Sequence, residues 1–269
     1  MTGGYGPGGQ ARAIVLTFDN LGEASALQRG TWDSRTALGS DPSVTRALPW
    51  LLDALDATGL RATFFVEAVN CGLNPAALRE IVIRGHELGA HGWEHEVWGA
   101  LDADTERELL ERTTQAFAAL GLGARGFRPP GGELTARTPA LLRELGFEWC
   151  SPADDAAPCI ADGLARVPFA WELVDAYHLM ERFAPLRERR GEPGAPAAAA
   201  AAGARLAAAL RDGAGVQTLI LHPFLMLEAA WREQVQRLLS LIAGLGAAGR
   251  AWVVPGGAFA RSLGGAAAE

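Results

Sequence analysis

Ala13-Ile-Val-Leu-Thr-Phe-Asp-Asn20 decides the fold: six apolar or β-branched residues in a row end on an acid and an amide. A run of this length, bounded by turn-forming residues, suits a strand buried on both faces, and such strands belong to parallel sheets covered by helices. Ala62 to Val66 repeats the character. Between the two, Val44 to Thr58 sets Leu48, Leu51, Leu52 and Leu55 on one face of a helix. Downstream the chain predicts a helix over Pro75 to Arg84, an apolar step at Glu87 to Ala90, a helix over Asp104 to Leu120 and a strand ending at Arg128. A helix over Thr138 to Leu145 then leads into Phe147 to Cys150, followed later by a strand Thr218 to Leu221, a helix Glu228 to Ala243 and a strand Trp252 to Val254. Repeated strand-helix alternation specifies an α/β fold with a parallel sheet, open or closed into a barrel.

Composition fits one domain. Of 269 residues, 49% are hydrophobic and 20% charged, enough to bury a core without staples. A net charge of −7 with no Lys/Arg stripe argues against nucleic-acid and anionic-membrane partners. The short run Arg187, Arg189, Arg190 beside Gly191 and Pro193 suits a solvated loop or helix end. Cys71, Cys150 and Cys159 lack a C-x-x-C spacing, so no disulfide framework is expected. The first twelve residues, MTGGYGPGGQAR, lack the basic start and apolar stretch of about 7–15 residues that mark a secretory signal. They are expected to be a flexible lead-in to a domain spanning residues 13–269, and a cytoplasmic location follows as the expectation. No apolar run reaches the ~18–20 residues needed to span a bilayer. Residues 168–202 fit the alternation poorly, carrying Trp171, Tyr177, His178 and Phe183 before a Gly/Pro stretch, and are expected to form an insertion that covers the site.

The polar residues fall where parallel α/β folds place their chemistry. Asp19, His91, Arg128 and His222 each lie at or just past the C-terminal end of a predicted strand. His91-Gly-Trp-Glu-His95 sets two imidazoles four residues apart, so on one helical turn both would point the same way and could hold one cation. A hydrolytic zinc-type site needs about three protein ligands and an open position for water, which makes Asp19 and Asn20 the nearest further candidates; an Asp-Asn pair after a strand also suits a helix cap or Asx turn. Arg128-Pro129-Pro130 stiffens a strand end and offers a guanidinium that could hold a carboxylate ionised. His222-Pro223 ends a buried strand and could protonate a leaving amine, or serve simply as a satisfied core imidazole.

In this order the pieces resemble the polysaccharide-deacetylase superfamily (NodB homology, carbohydrate esterase family 4), from about Ala13 to Val254. The matching motifs are Thr17-Phe-Asp-Asn20, His91-Gly-Trp-Glu-His95, Gly126-Phe-Arg-Pro-Pro130 and Leu221-His-Pro223. The resemblance implies a single-domain α/β fold, a distorted (β/α) barrel with its groove at the C-terminal strand ends. It implies Asp19 as catalytic base, Arg128 as the residue orienting it and His222 as general acid. It also implies His91 and His95 as metal ligands, joined by Asn20, with zinc the first choice of divalent ion. Val167-Pro-Phe-Ala-Trp-Glu-Leu-Val-Asp-Ala-Tyr177 looks like a feature of the intracellular branch with allantoinase-like, cyclic-imide-hydrolase-like and peptidoglycan-deacetylase-like members. A small cytosolic amide substrate is then expected, with Trp93, Pro130, Trp171 and Asp175 as its contacts; an assembly of identical subunits is compatible with the sequence.

One departure stands out. The usual Asp-Asp pair of the first motif is Asp19-Asn20, so the position that normally supplies a metal-binding carboxylate carries a neutral amide, a weaker donor. The site therefore either keeps a metal through His91, His95 and Asn20 or another donor such as Glu94, or works without one. Three readings follow: hydrolysis of a non-peptide carbon–nitrogen bond, a barrel that only binds a small molecule or partner, or a scaffold for a non-hydrolytic biosynthetic step. Retention of both Asp19 and His222 favours chemistry.

Overall fold

The computed structural model describes residues 4–265. Among them, β1 (Arg12–Asp19), β2 (Thr63–Val66), β3 (Glu87–Ala90), β4 (Ala124–Phe127), β5 (Trp149–Cys150), β6 (Cys159–Ala161), β7 (Leu164–Arg166), β8 (Gly215–Leu221) and β9 (Trp252–Val254) form one sheet. The order is β6-β7-β5-β4-β3-β2-β1-β8, with β9 beside the start of β1. Every pairing is parallel except the β6–β7 hairpin. The sheet curls into a half-barrel wrapped by helices, the expected distorted barrel. Near its open seam a single bridge from Val174 to Ile220 ties the covering segment to β8.

All eight residues of β1 are buried, which is why its sequence runs apolar without alternating. Its two faces still do different things. Ile14, Leu16 and Phe18 pack into the large core under the helices, while Ala13 and Val15 join Phe65, Trp149 and Val254 inside the barrel. The period of two therefore sends Thr17 and Asp19 inward as well, toward the barrel mouth. Helix Leu48–Thr58 buries Leu48, Leu51, Leu52 and Leu55, the stripe its spacing predicts. Arg12 donates to the carbonyls of Leu210 and Arg211, satisfying the C-terminal end of helix Ala199–Asp212. Among the described residues no helix is long and apolar enough to cross a membrane.

The structure adds three features to the sequence reading. Residues 1–3 lie outside the described residues, as do 266–269 of the domain assigned to 13–269, but the rest of the lead-in is folded. Tyr5 and Gln10 exchange backbone hydrogen bonds of 2.7 and 2.9 Å, and the Tyr5 ring lies 6.1 Å from that of Phe259. The β6–β7 hairpin was not anticipated, although Asp162-Gly163, both at positive φ, is the dipeptide such a tight turn favours. The segment 168–202 is mostly ordered short helices, including Asp175–Leu179 and Ala184–Arg189, and helix Ala199–Asp212 already starts within it.

Gly89 on β3 matters for the site. A Cβ there would sit 2.5 Å from the Phe65 ring, so only a residue without a side chain lets Phe65 fill the barrel interior at this height. Gly89→Ala should therefore lower stability by about 1–3 kcal/mol through overpacking. Thermal denaturation beside Gly123→Ala, whose Cβ would meet nothing within 4 Å, checks this; equal melting temperatures for the two variants would contradict it.

Candidate active site

Five strands deliver side chains to one edge: Asp19 ends β1, and Glu67, His91, Arg128 and His222 directly follow β2, β3, β4 and β8. A cavity of about 250 Å³ opens there, bordered by Asp19, His91, His95, Arg128 and His222, with Trp171 in its wall.

At its base lies a buried ion pair. Arg128 Nη1 donates to Asp19 Oδ1 at 2.6 Å and to Thr17 Oγ1 at 2.8 Å, while Nε and Nη2 donate to Ser151 Oγ at 3.2 and 2.9 Å. The guanidinium carbon sits 4.2 Å from the Phe65 ring centre, so the aromatic core supports it from one face. The two side chains are only 1% and 5% exposed. Burial lowers the Arg128 pKa and the Asp19 charge opposes that shift. Oδ2 of Asp19 has no hydrogen-bond partner among the described residues, which leaves it for a substrate or water.

At the end of β8, the strand next to β1 with Phe18 opposite Leu221, Asp175 grips His222 twice. Oδ1 lies 2.5 Å from His222 Nδ1, and Oδ2 accepts from the His222 backbone N–H at 2.8 Å. The carboxylate fixes the proton on Nδ1, so Nε2 is the nitrogen left for the cavity. Asp175 is fully buried and does not border the cavity, which corrects its expected role as a substrate contact: it positions the imidazole.

His91 and His95 do converge, but not on a helical turn as expected. Residues 91–95 form a loop in which Gly92 and His95 take φ of 73° and 79°, and the two rings meet edge to face at 5.1 Å. Glu96 stabilises the loop by accepting from the N–H groups of Trp93 and Glu94. The Nδ1 atom of His91 lies 2.8 Å from the Arg128 carbonyl; its proton goes there and Nε2 stays free to ligate. The carboxylate that joins them is Glu67, which the sequence reading missed. Ligand atoms of Glu67, His91 and His95 lie within 4.8 Å of one another. Glu67 is fully buried; Oε2 accepts from Leu21 N–H at 3.3 Å, and Oε1 has no partner. A buried carboxylate oxygen without a donor, beside two imidazoles, fits a divalent cation.

Asn20 is buried at φ 61° with Oδ1 unpaired, and it does not border the cavity. Of the four expected substrate contacts only Trp171 lines the cavity. Trp93 packs against the core under the Arg112 guanidinium, 3.7 Å away, and Pro130 packs beside Gly92 while Pro129 faces the cavity instead. Thr17 and Ser151 were missed, though Thr17 shares the inward face with Asp19 and could have been found from the period of two. Glu67 follows the apolar run of β2, the same signal that picked out Asp19.

Comparisons with known proteins bear on the family and the fold. Residues 7–150 match the model of the polysaccharide deacetylase family, over half of the chain, and the protein belongs to that family. Chitin deacetylase 1 of Saccharomyces cerevisiae is 33% identical over 88 residues, 32% of this chain and 29% of that protein, so the match spans under a third of the relative's length. The crystal structure of a Mycobacterium smegmatis protein described as a polysaccharide deacetylase superposes with a TM-score of 0.80 at 28% identity, covering 98% and 93% of the two chains. The PuuE allantoinase shares the fold, with a TM-score of 0.73 at 19% identity over 95% and 91%.

Burial pushes the Glu67 carboxyl up to about 8 and both His91 and His95 down to about 3. At neutral pH the metal-free cluster thus holds a proton on Glu67 and none to displace on the imidazoles. Cation uptake must expel that proton, so zinc affinity should rise about tenfold per pH unit from about pH 5 to about 8 and then level off. Calorimetric titrations across this range test it, with Glu67→Gln expected to flatten the slope; a pH-independent affinity in the unmutated protein would refute the assignment.

Proposed function

We propose that the protein hydrolyses a non-peptide carbon–nitrogen bond, removing an acyl group from an amine or opening a cyclic amide, in a small cytosolic substrate. The observation that carries this is one cavity bordered by a carboxylate held by an arginine and, from the adjacent strand end, an imidazole held by a carboxylate. A base and an acid so placed serve proton transfer in both halves of an amide hydrolysis.

Asp19 is the base. Its Oδ1 is anchored by Arg128, so Oδ2 takes the proton of a water attacking the carbonyl carbon, and the amide C=O becomes a tetrahedral centre. His222, oriented by Asp175, gives its proton to the nitrogen as the C–N bond breaks, releasing amine and acid. Glu67, His91 and His95, with Asn20 Oδ1 as a further neutral donor, would hold a divalent ion, zinc by preference, which would supply Lewis-acid polarisation of the carbonyl. Trp171 and Phe169 give the cavity an apolar wall. The cavity is at the small end for ligand sites, which favours a compact substrate over a long glycan. A binding-only barrel drew its support from Asn20; a carboxylate offered by Glu67 removes that motive.

Asp19→Asn and His222→Asn should each cut kcat by about 10²–10⁴-fold on whichever N-acyl amine or cyclic imide the protein turns over. Circular dichroism accompanies the assay, because Asp19→Asn leaves Arg128 buried and uncompensated; turnover retained by a folded variant would remove that residue from its role. Asp175→Asn should be milder, losing about 10–100-fold in kcat with little change in KM, since it disturbs only the orientation of His222. A loss confined to KM would instead mark Asp175 as a substrate contact.

A further inference from the structure

Most ionisable groups that border the cavity have a partner within the protein. Asp19 pairs with Arg128 at 2.6 Å, His222 is held by Asp175, and burial disfavours the charged forms of His91 and His95. Arg182 has no such partner. It lies in the turn Glu181–Phe183 of the covering segment and borders the cavity, its guanidinium carbon 5.0 Å from the Phe183 ring centre.

Two other arginines of the same segment are engaged. Arg190 pairs with Glu172 at 3.0 Å, and Arg187 is buried with its donors on the carbonyls of Tyr177, Met180 and Gly194. Among the described residues Arg182 has no ion pair or hydrogen bond, and it stands exposed where it borders the cavity. Partial burial and the cation Arg29 both lower its pKa. A cation kept at a cavity mouth without a counter-charge is the arrangement that binds an anionic group strongly, through a charge-assisted and often bidentate hydrogen bond. The rest of the wall near it is apolar: Phe169, Trp171, Val174, Phe183 and Ile220.

We infer that the substrate is a small N-acyl or cyclic-amide compound that carries a carboxylate, and that Arg182 binds that carboxylate while the amide lies between Asp19 and His222. Arg182 is thus a specificity residue of the site. The inference rests on the amide-hydrolase reading for where the amide lies, but the anion preference is measurable without turnover.

Matched pairs differing only in charge provide the test: N-acetylglycine, N-acetyl-β-alanine and N-acetyl-4-aminobutyrate, each beside its C-terminal carboxamide. Dissociation constants are measured calorimetrically on the full chain at low salt. At least one acid should bind about tenfold or more tightly than its amide, and the gap should shrink as salt is raised. Arg182→Gln should bring the pair to equal affinity, and Arg182→Lys should restore part of the gap. Amides binding as well as acids throughout the series, no binding by any acid, or a preference that survives in Arg182→Gln would each overturn the proposal. Hydrolysis is scored separately by amine release: an acid that binds through Arg182 yet is not cleaved refutes the reaction and leaves the anion site standing.

Discussion

The buried pair of Arg128 with Asp19 is the interaction on which the rest of the site depends. Two charges only 1% and 5% exposed survive in a protein interior because every donor of the guanidinium that faces them is used: on Asp19, on Thr17 and on Ser151. Removing either partner would strand the other, at a cost of several kcal/mol. The same guanidinium lies against Phe65, which fits only because β3 carries glycine at position 89. Arg128 also ties two parts of the site together. Its side chain orients Asp19, the proposed base, and its backbone carbonyl orients His91.

From that anchor the electrostatics of the site follow. His91 and His95 are deprived of solvent and stay neutral, the state a ligating imidazole needs. Glu67 is deprived of solvent too, and its unpaired oxygen is a destabilising feature of the fold until a cation or a proton satisfies it. The carboxylate missing at position 20 is thereby offered from the end of the neighbouring strand, which the register of β1 against β2, Asp19 opposite Phe65, places two residues from Glu67. Asp175 comes from the covering segment, so this segment supplies the residue that holds His222, the proposed acid.

Much of the fold was legible from periodicity. β1, β2, β3, β8 and β9 were found within a residue or three of their ends, because strands buried on both faces leave apolar runs that few other elements produce. The weaker elements were not. β6 and β7 are three residues each and partly exposed, so neither a run nor an alternation marks them, and only the Asp162-Gly163 turn could have. The folded turn from Tyr5 to Gln10 depends on aromatic packing against Phe259, more than two hundred residues away in sequence.

By itself the sequence determined the parallel α/β architecture, the residues at the strand ends and the likeness that led to the polysaccharide deacetylases. Those are local properties: a hydrophobic run, a turn, a short motif. Only the tertiary structure decided that Glu67 joins the two histidines, that Asp175 holds His222 rather than a ligand, and that Trp171 but not Trp93 faces the cavity. Each depends on which way a side chain points and on what its neighbours from distant segments leave unpaired. Hydrogen-bond balance and charge balance are settled across the whole site, and no stretch of chain carries them alone.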